Sequence, residues 1–186
     1  MLVVPCYYKR SFNEWAPLED GNNRPVAVHK DKPEGTVRNG NKDELPNGNY
    51  VEDTGNHFVY ILDKNYKPLE QALITMKSTQ KKKSKLWNSM IQSRRLEGSK
   101  GFFTPPSWAT VYLLKSVQES NSKGTWPGWS IAFDSFLNKP ENQKTRELTK
   151  DFYQNAMESD IFGKVEFDSD KPQKSQEEEK EEDTPF

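Results

Sequence analysis

The sequence predicts a mainly β fold, a small five-stranded barrel, and three features point to it. Two stretches, Leu2–Trp15 and residues 57–63, alternate their side chains between two faces with the period of two that a strand imposes. Two turn signals, Lys64-Asn65-Tyr66-Lys67-Pro68 and Asn121-Ser122-Lys123-Gly124, each separate a pair of such runs as a hairpin would. One helical stretch falls between the third and fourth strands.

The first strand carries Leu2, Val4, Cys6, Tyr8, Arg10 and Phe12 on one face and Val3, Pro5, Tyr7, Lys9, Ser11, Asn13 and Trp15 on the other. Pro5 cannot donate to a ladder, so it predicts an edge or a bulge. Residues 16–55 are rich in Gly, Asn, Pro and charge and read as a long connection with a short strand near 26–29, either functional or mobile. Residues 57–63 form the second strand and 69–77 the third. Ser78 or Thr79 is placed to cap a helix reaching about residue 96, with Leu86, Trp87, Met90 and Ile91 on its apolar side. Residues 108–117 and 126–134 read as the fourth and fifth strands. Pro140 opens a second helix, capped by Asn138, with Leu148, Phe152 and Ala156 at fourfold spacing. That helix packs either on its own barrel or on a neighbour's, the latter making a homodimer. Five strands with a helix between the third and fourth is the order of the oligonucleotide-binding (OB) barrel. Other small barrels and α+β sheets produce the same string.

Two domains of unequal character follow: a folded body, residues 1–166, and an acidic tail, residues 167–186. From residue 168 onward the chain holds eight acids and three bases, which leaves 24 bases and 20 acids, a net +4, in the body. The tail offers almost no apolar surface to repay its ordering entropy, so disorder is expected there. It closes on Glu181, Glu182, Asp183, Thr184, Pro185 and Phe186, and a terminal aromatic beside a free carboxylate suits capture by a basic, apolar pocket. A basic body with an acidic tail is a pattern of polyanion-binding proteins. The single cysteine, Cys6, excludes an internal disulfide and fits a reducing compartment. No apolar run approaches a membrane span and the N-terminus is too short for a signal peptide, so a cytoplasmic protein with no membrane partner is expected.

The densest positive segment contains Lys77, Lys81, Lys82, Lys83, Lys85, Arg94, Arg95 and Lys100, with Glu97 its one acid. It reads as a track for a phosphate backbone, although such a run also suits a solvated helix face. Aromatic residues make up 12% of the chain, more than a small core needs. Tyr7 and Tyr8 fall on opposite strand faces, as do Val59 and Tyr60, so some rings are expected outside the barrel core, where they could stack on bases. The candidates are Tyr7, Trp15, Tyr60, Phe102, Phe103, Trp108 and Trp126, with Lys9 beside them. One Cys and two His, His29 and His57, show no metal-ligand spacing, no nucleotide-cradling or nucleophile motif occurs, and no cofactor is implied. Asp31, Asp43, Glu44, Glu52 and Asp53 would hold Mg²⁺ for a nuclease only if something ordered the long connection.

The tip Glu-Glu-Asp-Thr-Pro-Phe resembles the acidic C-terminal tip of bacterial single-stranded-DNA-binding proteins, with Thr184 where those carry an aliphatic residue. The segments Leu-Pro-Asn-Gly-Asn-Tyr (45–50), Met-Lys-Ser-Thr-Gln-Lys-Lys-Lys-Ser (76–84), Trp-Asn-Ser-Met (87–90), Thr-Pro-Pro (104–106) and Glu-Ser-Asn-Ser-Lys-Gly-Thr-Trp-Pro-Gly-Trp (119–129) are similar to a family of small bacteriophage single-stranded-DNA-binding proteins. The resemblance implies a non-enzymatic OB-fold that coats unpaired DNA in replication or recombination. Its partners would be single-stranded DNA and replication or recombination proteins held by the tail. The rival expectation is a β-barrel interaction protein or inhibitor of a host nucleic-acid enzyme, whose tail mimics nucleic acid.

Overall fold

The structure, a computed structural model, describes residues 1–17, 24–122 and 124–158. The expected tail disorder, and tail residues Glu181, Glu182, Asp183, Pro185 and Phe186, lie outside the described residues.

Among the described residues, ten strands and two α-helices follow in the order β1 (Leu2–Trp15), β2 (Ala27–His29), β3 (Val37–Asn39), β4 (Lys42–Glu44), β5 (Tyr50–Leu62), β6 (Pro68–Met76), α1 (Lys81–Ser93), β7 (Leu96–Gly98), β8 (Gly101–Phe103), β9 (Thr110–Asn121), β10 (Gly124–Phe136) and α2 (Gln143–Glu158). β1 and β5 pair antiparallel along almost their whole length, from Leu2↔Leu62 to Trp15↔Tyr50. Pro5 faces Val59 and the register then slips before Tyr7, the bulge its missing N–H predicts. The five long strands lie in the order β10-β9-β1-β5-β6, all antiparallel. β2 pairs with the far end of β1, and β4 with the start of β5.

The sheet is open. No pairing register joins β6 to β10 among the described strands, so the expected barrel does not close by hydrogen bonds. Instead the sheet curls around α1. Val3, Val59, Ile74, Met76, Tyr112 and Leu114 form one buried cluster with Trp87 of α1, and Met90, Ile91, Trp129, Ile131 and Phe133 pack on it. All five long strands thus share one core with α1, which touches both end strands, β6 and β10. Trp87 is fully buried, a side chain whose truncation typically costs about 3–5 kcal/mol.

The sheet's other face is also covered. Val4, Cys6, Leu62, Val111 and Leu137 form a second buried cluster, with Tyr60, Tyr66, Trp108, Phe152 and Tyr153 against it. Neighbours such as Val3 and Val4, or Val111 and Tyr112, therefore feed opposite cores, as a pleated strand requires. Rings on opposite strand faces do not imply exposure here: Tyr8 meets His57 (4.8 Å between centroids) and Tyr7 meets Tyr153 of α2 (6.4 Å). Burial of Cys6 pushes its thiol up to about 12. α2 packs on its own sheet, but Leu148 is 36% exposed; the buried positions are Thr145, Thr149 and Ala156. The two threonine hydroxyls donate to the carbonyls of Tyr66 and Trp108, both at 2.9 Å.

Neither expected cap forms. α1 follows a 3-10 turn, Ser78–Gln80, with no side-chain cap bond, and the 3-10 turn before α2 starts from Lys139 rather than Asn138. The long 16–55 connection is held down in its described part. Glu14, only 8% exposed, accepts from Asn47 and Asn49 and meets His29 Nε2 at 2.7 Å. Hydrogen bonds from Asn49 and His29 hold its carboxyl below the usual range.

α1 is seated by a polar contact in an otherwise apolar core. His57 stacks on Trp87 (4.5 Å, 22°) and its Nε2 lies 2.8 Å from Ser84 Oγ. A Cβ at Gly55 would overlap that Ser84 hydroxyl and crowd the Tyr8 ring, so glycine sets the closeness of the helix. Burial, and then the positive charge of Lys81, lowers the His57 pKa to about 3. The folded state thus refuses a proton that the unfolded chain accepts near pH 6.5. Stability from this source is complete above that pH and is lost as pH falls toward 3. The expected loss is about 1.4 kcal/mol per pH unit below about pH 6.5. The stability of the wild type relative to His57→Gln, from urea unfolding at stepped pH, should fall with that slope, on top of the acid losses that Glu14, Asp53 and Glu119 give both proteins; parallel curves would refute it.

Candidate functional site

The chain leaves β6 at Met76, turns through Ser78 at φ 53° and enters α1 with Lys81, Lys82 and Lys83 in its first turn. Like charges this close repel, and the fold answers with carboxylates from distant strands. Lys77 Nζ meets Glu52 Oε2 at 2.8 Å. Lys81 Nζ meets Asp53 Oδ1 at 2.6 Å, and the same carboxylate takes a two-pronged contact from Arg10, both bonds 2.8 Å. Lys83 Nζ meets Glu119 Oε1 at 3.0 Å. Burial alone would raise the Asp53 pKa, but donation from Arg10 and Lys81 carries it below its ordinary value. Burial lowers the Lys81 pKa, with Asp53 opposing. Lys83 and Gln80 hold the Glu119 carboxyl down.

Two indoles flank this turn. Lys77 Nζ sits 5.3 Å over the Trp15 ring, a cation–π contact. On the other side Trp126 Nε1 donates to Glu119 Oε2 at 3.2 Å. Gln80 ties the turn to the β9–β10 hairpin: its amide donates to Glu119 Oε2 (2.8 Å) and its oxygen accepts from the Trp129 backbone N–H (3.0 Å). Beside Trp126 lies an open cleft of about 480 Å³ lined by Thr79, Lys82, Glu119, Ser120, Asn121 and Trp126. Lys82 has no carboxylate partner among the described residues, unlike Lys77, Lys81 and Lys83.

Of the residues the sequence nominates, Trp15, Lys77, Lys81, Lys82, Lys83 and Trp126 are brought together here. A second group lies at the other end of α1. Arg94 places its guanidinium 4.4 Å over the Phe133 ring, Arg95 donates to Thr104 Oγ1 at 2.7 Å, and the β7–β8 hairpin carries Phe102 and Phe103, 74% and 46% exposed. A third group does not join either. Tyr7, Tyr60 and Trp108 lie under α2, where Tyr60 meets Phe152 edge-on at 5.7 Å and the Trp108 carbonyl accepts from Thr149. Their rings are half-buried by that helix, which the sequence places after the barrel without showing which surface it covers. Lys9 stands opposite Asn56 on β1, half-buried.

The sequence gives no local sign of Arg10, Gln80 or the acids Glu52, Asp53 and Glu119 as parts of this site. The acids lie 25 to 43 residues from the lysines, Arg10 and Gln80 that hold them here. Glu52 and Asp53, read as loop, belong to β5 and are engaged by lysines. No cluster of three or more metal-ligating side chains occurs among the described residues. The Ser84–His57 pair is fully enclosed, so it faces no substrate.

Gly128 admits this arrangement: a Cβ there would collide with the Glu119 carboxylate and the Gln80 amide. Gly128→Ala should therefore unhook the Gln80 amide and the Glu119 carboxylate, both ends of flexible side chains that can swing aside, so the midpoint of equilibrium denaturation should move little. The fluorescence of Trp126, whose Nε1 donates to that carboxylate, should shift, and an unchanged spectrum would refute the contact.

The family model described as Pam3 phage gp34-like protein matches residues 1–161. No curated protein and no solved structure matches the chain. Among the described residues no helix is long and apolar enough to cross a membrane. The family match takes in every strand and helix described above, and on it the chain belongs to the Pam3 phage gp34-like protein family.

Proposed function

We propose that this phage protein binds single-stranded DNA without catalysing a reaction, coating and protecting unpaired strands during phage replication or recombination in the host cytoplasm. The observation that carries the reading is the cleft beside Trp126. It offers a flat ring and, in Lys82, a cation with no carboxylate partner among the described residues, on one open surface of about 480 Å³. A base stacks on the indole and the adjoining phosphate meets Lys82. Trp15 and the Lys77–Lys83 turn extend the same end of the molecule. Supporting this, the long-strand order β10-β9-β1-β5-β6 is that of an OB barrel opened between its third and fifth strands, with α1 in the usual position between third and fourth. The acidic tip Glu181-Glu182-Asp183, with Pro185 and Phe186, serves as the hook for replication or recombination proteins.

A second reading draws on one observation. Lys77, Lys81 and Lys83 already hold carboxylates, which weakens their pull on phosphate and suits an interaction protein or inhibitor of a host nucleic-acid enzyme.

Titration with single-stranded and duplex oligonucleotides, followed by tryptophan fluorescence, separates the two. Preferential, salt-sensitive quenching by oligo(dT) is expected. Trp126→Ala should cost about 1–3 kcal/mol of binding, and Lys82→Glu should flatten the salt dependence by roughly 0.7 in log–log slope per lost contact. No binding to either nucleic acid would favour the interaction protein. Deleting residues 176–186 should leave strand binding intact or tighter; loss of binding would contradict the role given to the tail.

A further inference from the structure

The cleft at one end of α1 and the exposed phenylalanines at the other are joined by one face of the helix. We propose that a bound single strand leaves the Trp126 cleft, runs along the outer face of α1 and ends on the β7–β8 hairpin, where Phe102 and Phe103 stack its last bases. This rests on the single-strand reading of the cleft and adds a path to it.

The outward positions of α1 follow helical spacing. Lys82, Lys85, Leu86 and Ser89 are all exposed, while Trp87, Met90 and Ile91 face the core. Beyond the helix the same chain presents Arg95 and Lys100, again exposed. Among the described residues none of Lys82, Lys85, Arg95 and Lys100 forms an ion pair with a carboxylate, in contrast to the lysines packed against the strands. Glu97 is the one acid between Lys82 and Lys100. The face is therefore cationic where the sheet's acids do not reach it, which favours a polyanion over an acidic-and-basic protein surface.

The hairpin gives the independent observation. β7 and β8 pair only with each other, three residues a side, and Gly101 at φ 106° turns the tip. Adjacent residues of a strand point to opposite faces, yet Phe102 is 74% and Phe103 46% exposed, so neither face of this ribbon is properly covered. Phe103 lies across Gly98, which leaves its ring open on the outside. A two-stranded ribbon with two uncovered rings is a poor structural element by itself and a ready stacking platform. Leu86, 54% exposed, adds apolar surface along the way. The 13 residues of α1 span about 20 Å. That length corresponds to about six nucleotides at stacked spacing, within the 4–16 typical of one OB fold.

The test is binding of full-length wild type, Phe102→Ala and Lys85→Glu to oligo(dT) of increasing length, by fluorescence anisotropy, with sedimentation of each free protein. Both altered side chains are exposed, so the fold should survive. Short oligomers of about four nucleotides fill only the cleft and should bind all three proteins alike. At about twelve nucleotides the wild type should gain affinity, while each variant should fall behind by roughly fivefold or more. Equal losses at every length, or none, would overturn the path while leaving the cleft reading intact. A change of oligomeric state in Phe102→Ala without a change in binding would overturn it too and assign the hairpin to a second copy. Failure of the wild type to bind any single strand would remove both the path and the function it extends.

Discussion

His57 lies between the rings of Tyr8 and Trp87 with its Nε2 on the Ser84 hydroxyl, and Gly55 below it has no Cβ to hold the helix away. This contact seats α1 in the fold of the sheet. Through Trp87 the helix joins all five long strands in one core, although their hydrogen-bond ladder does not close. It also fixes where the first turn of α1 emerges, and so where Lys81, Lys82 and Lys83 stand relative to the strand ends. A polar pair in an apolar core is tolerated because each partner satisfies the other.

Charge around α1 is sorted by position. Lysines that lean against the sheet find carboxylates from β5 and β9, and Asp53 serves Arg10 and Lys81 at once. Lysines on the outside of the helix find none among the described residues. The paired lysines fix the geometry of the turn, and the cations on the outer face of the helix stay available. The same economy holds at Glu14, a nearly buried carboxylate that gathers Asn47, Asn49 and His29 and so gives the long connection after β1 a defined course.

Local periodicity made the long strands legible. β1 has the bounds of the alternating stretch, but the bulge after Pro5 swaps its two faces, so that Tyr7 joins Val4 and Cys6 on the α2 side and Tyr8 joins Val3 on the α1 side. The hairpins at residues 63–67 and 121–124 lie where the turn signals put them. What depends on distant partners was not legible. The start of β5 looked like loop because Glu52 and Asp53 are polar, and only their pairing with Lys77 and Lys81 explains their place in a strand. Barrel closure was not legible because it is decided between β6 and β10, far apart in sequence, and no local signal reports whether those two strands pair. Tyr7, Tyr60 and Trp108 lie apart from the other nominated residues for a related reason: a strand's alternation reveals two faces but not that α2 packs on the second. The grouping of Trp15, the lysines and Trp126 was half visible, since the residue types were nominated and their convergence required the fold.

Cys6, beneath α2 and with its thiol pushed up to about 12, has a practical corollary. Nucleophilic attack and oxidation proceed through the thiolate, which is scarce for such a group at neutral pH and here also shielded from reagents. The native protein is consequently a blank background for maleimide chemistry. One cysteine engineered on the outside would be the sole labelling handle, without first removing the natural one.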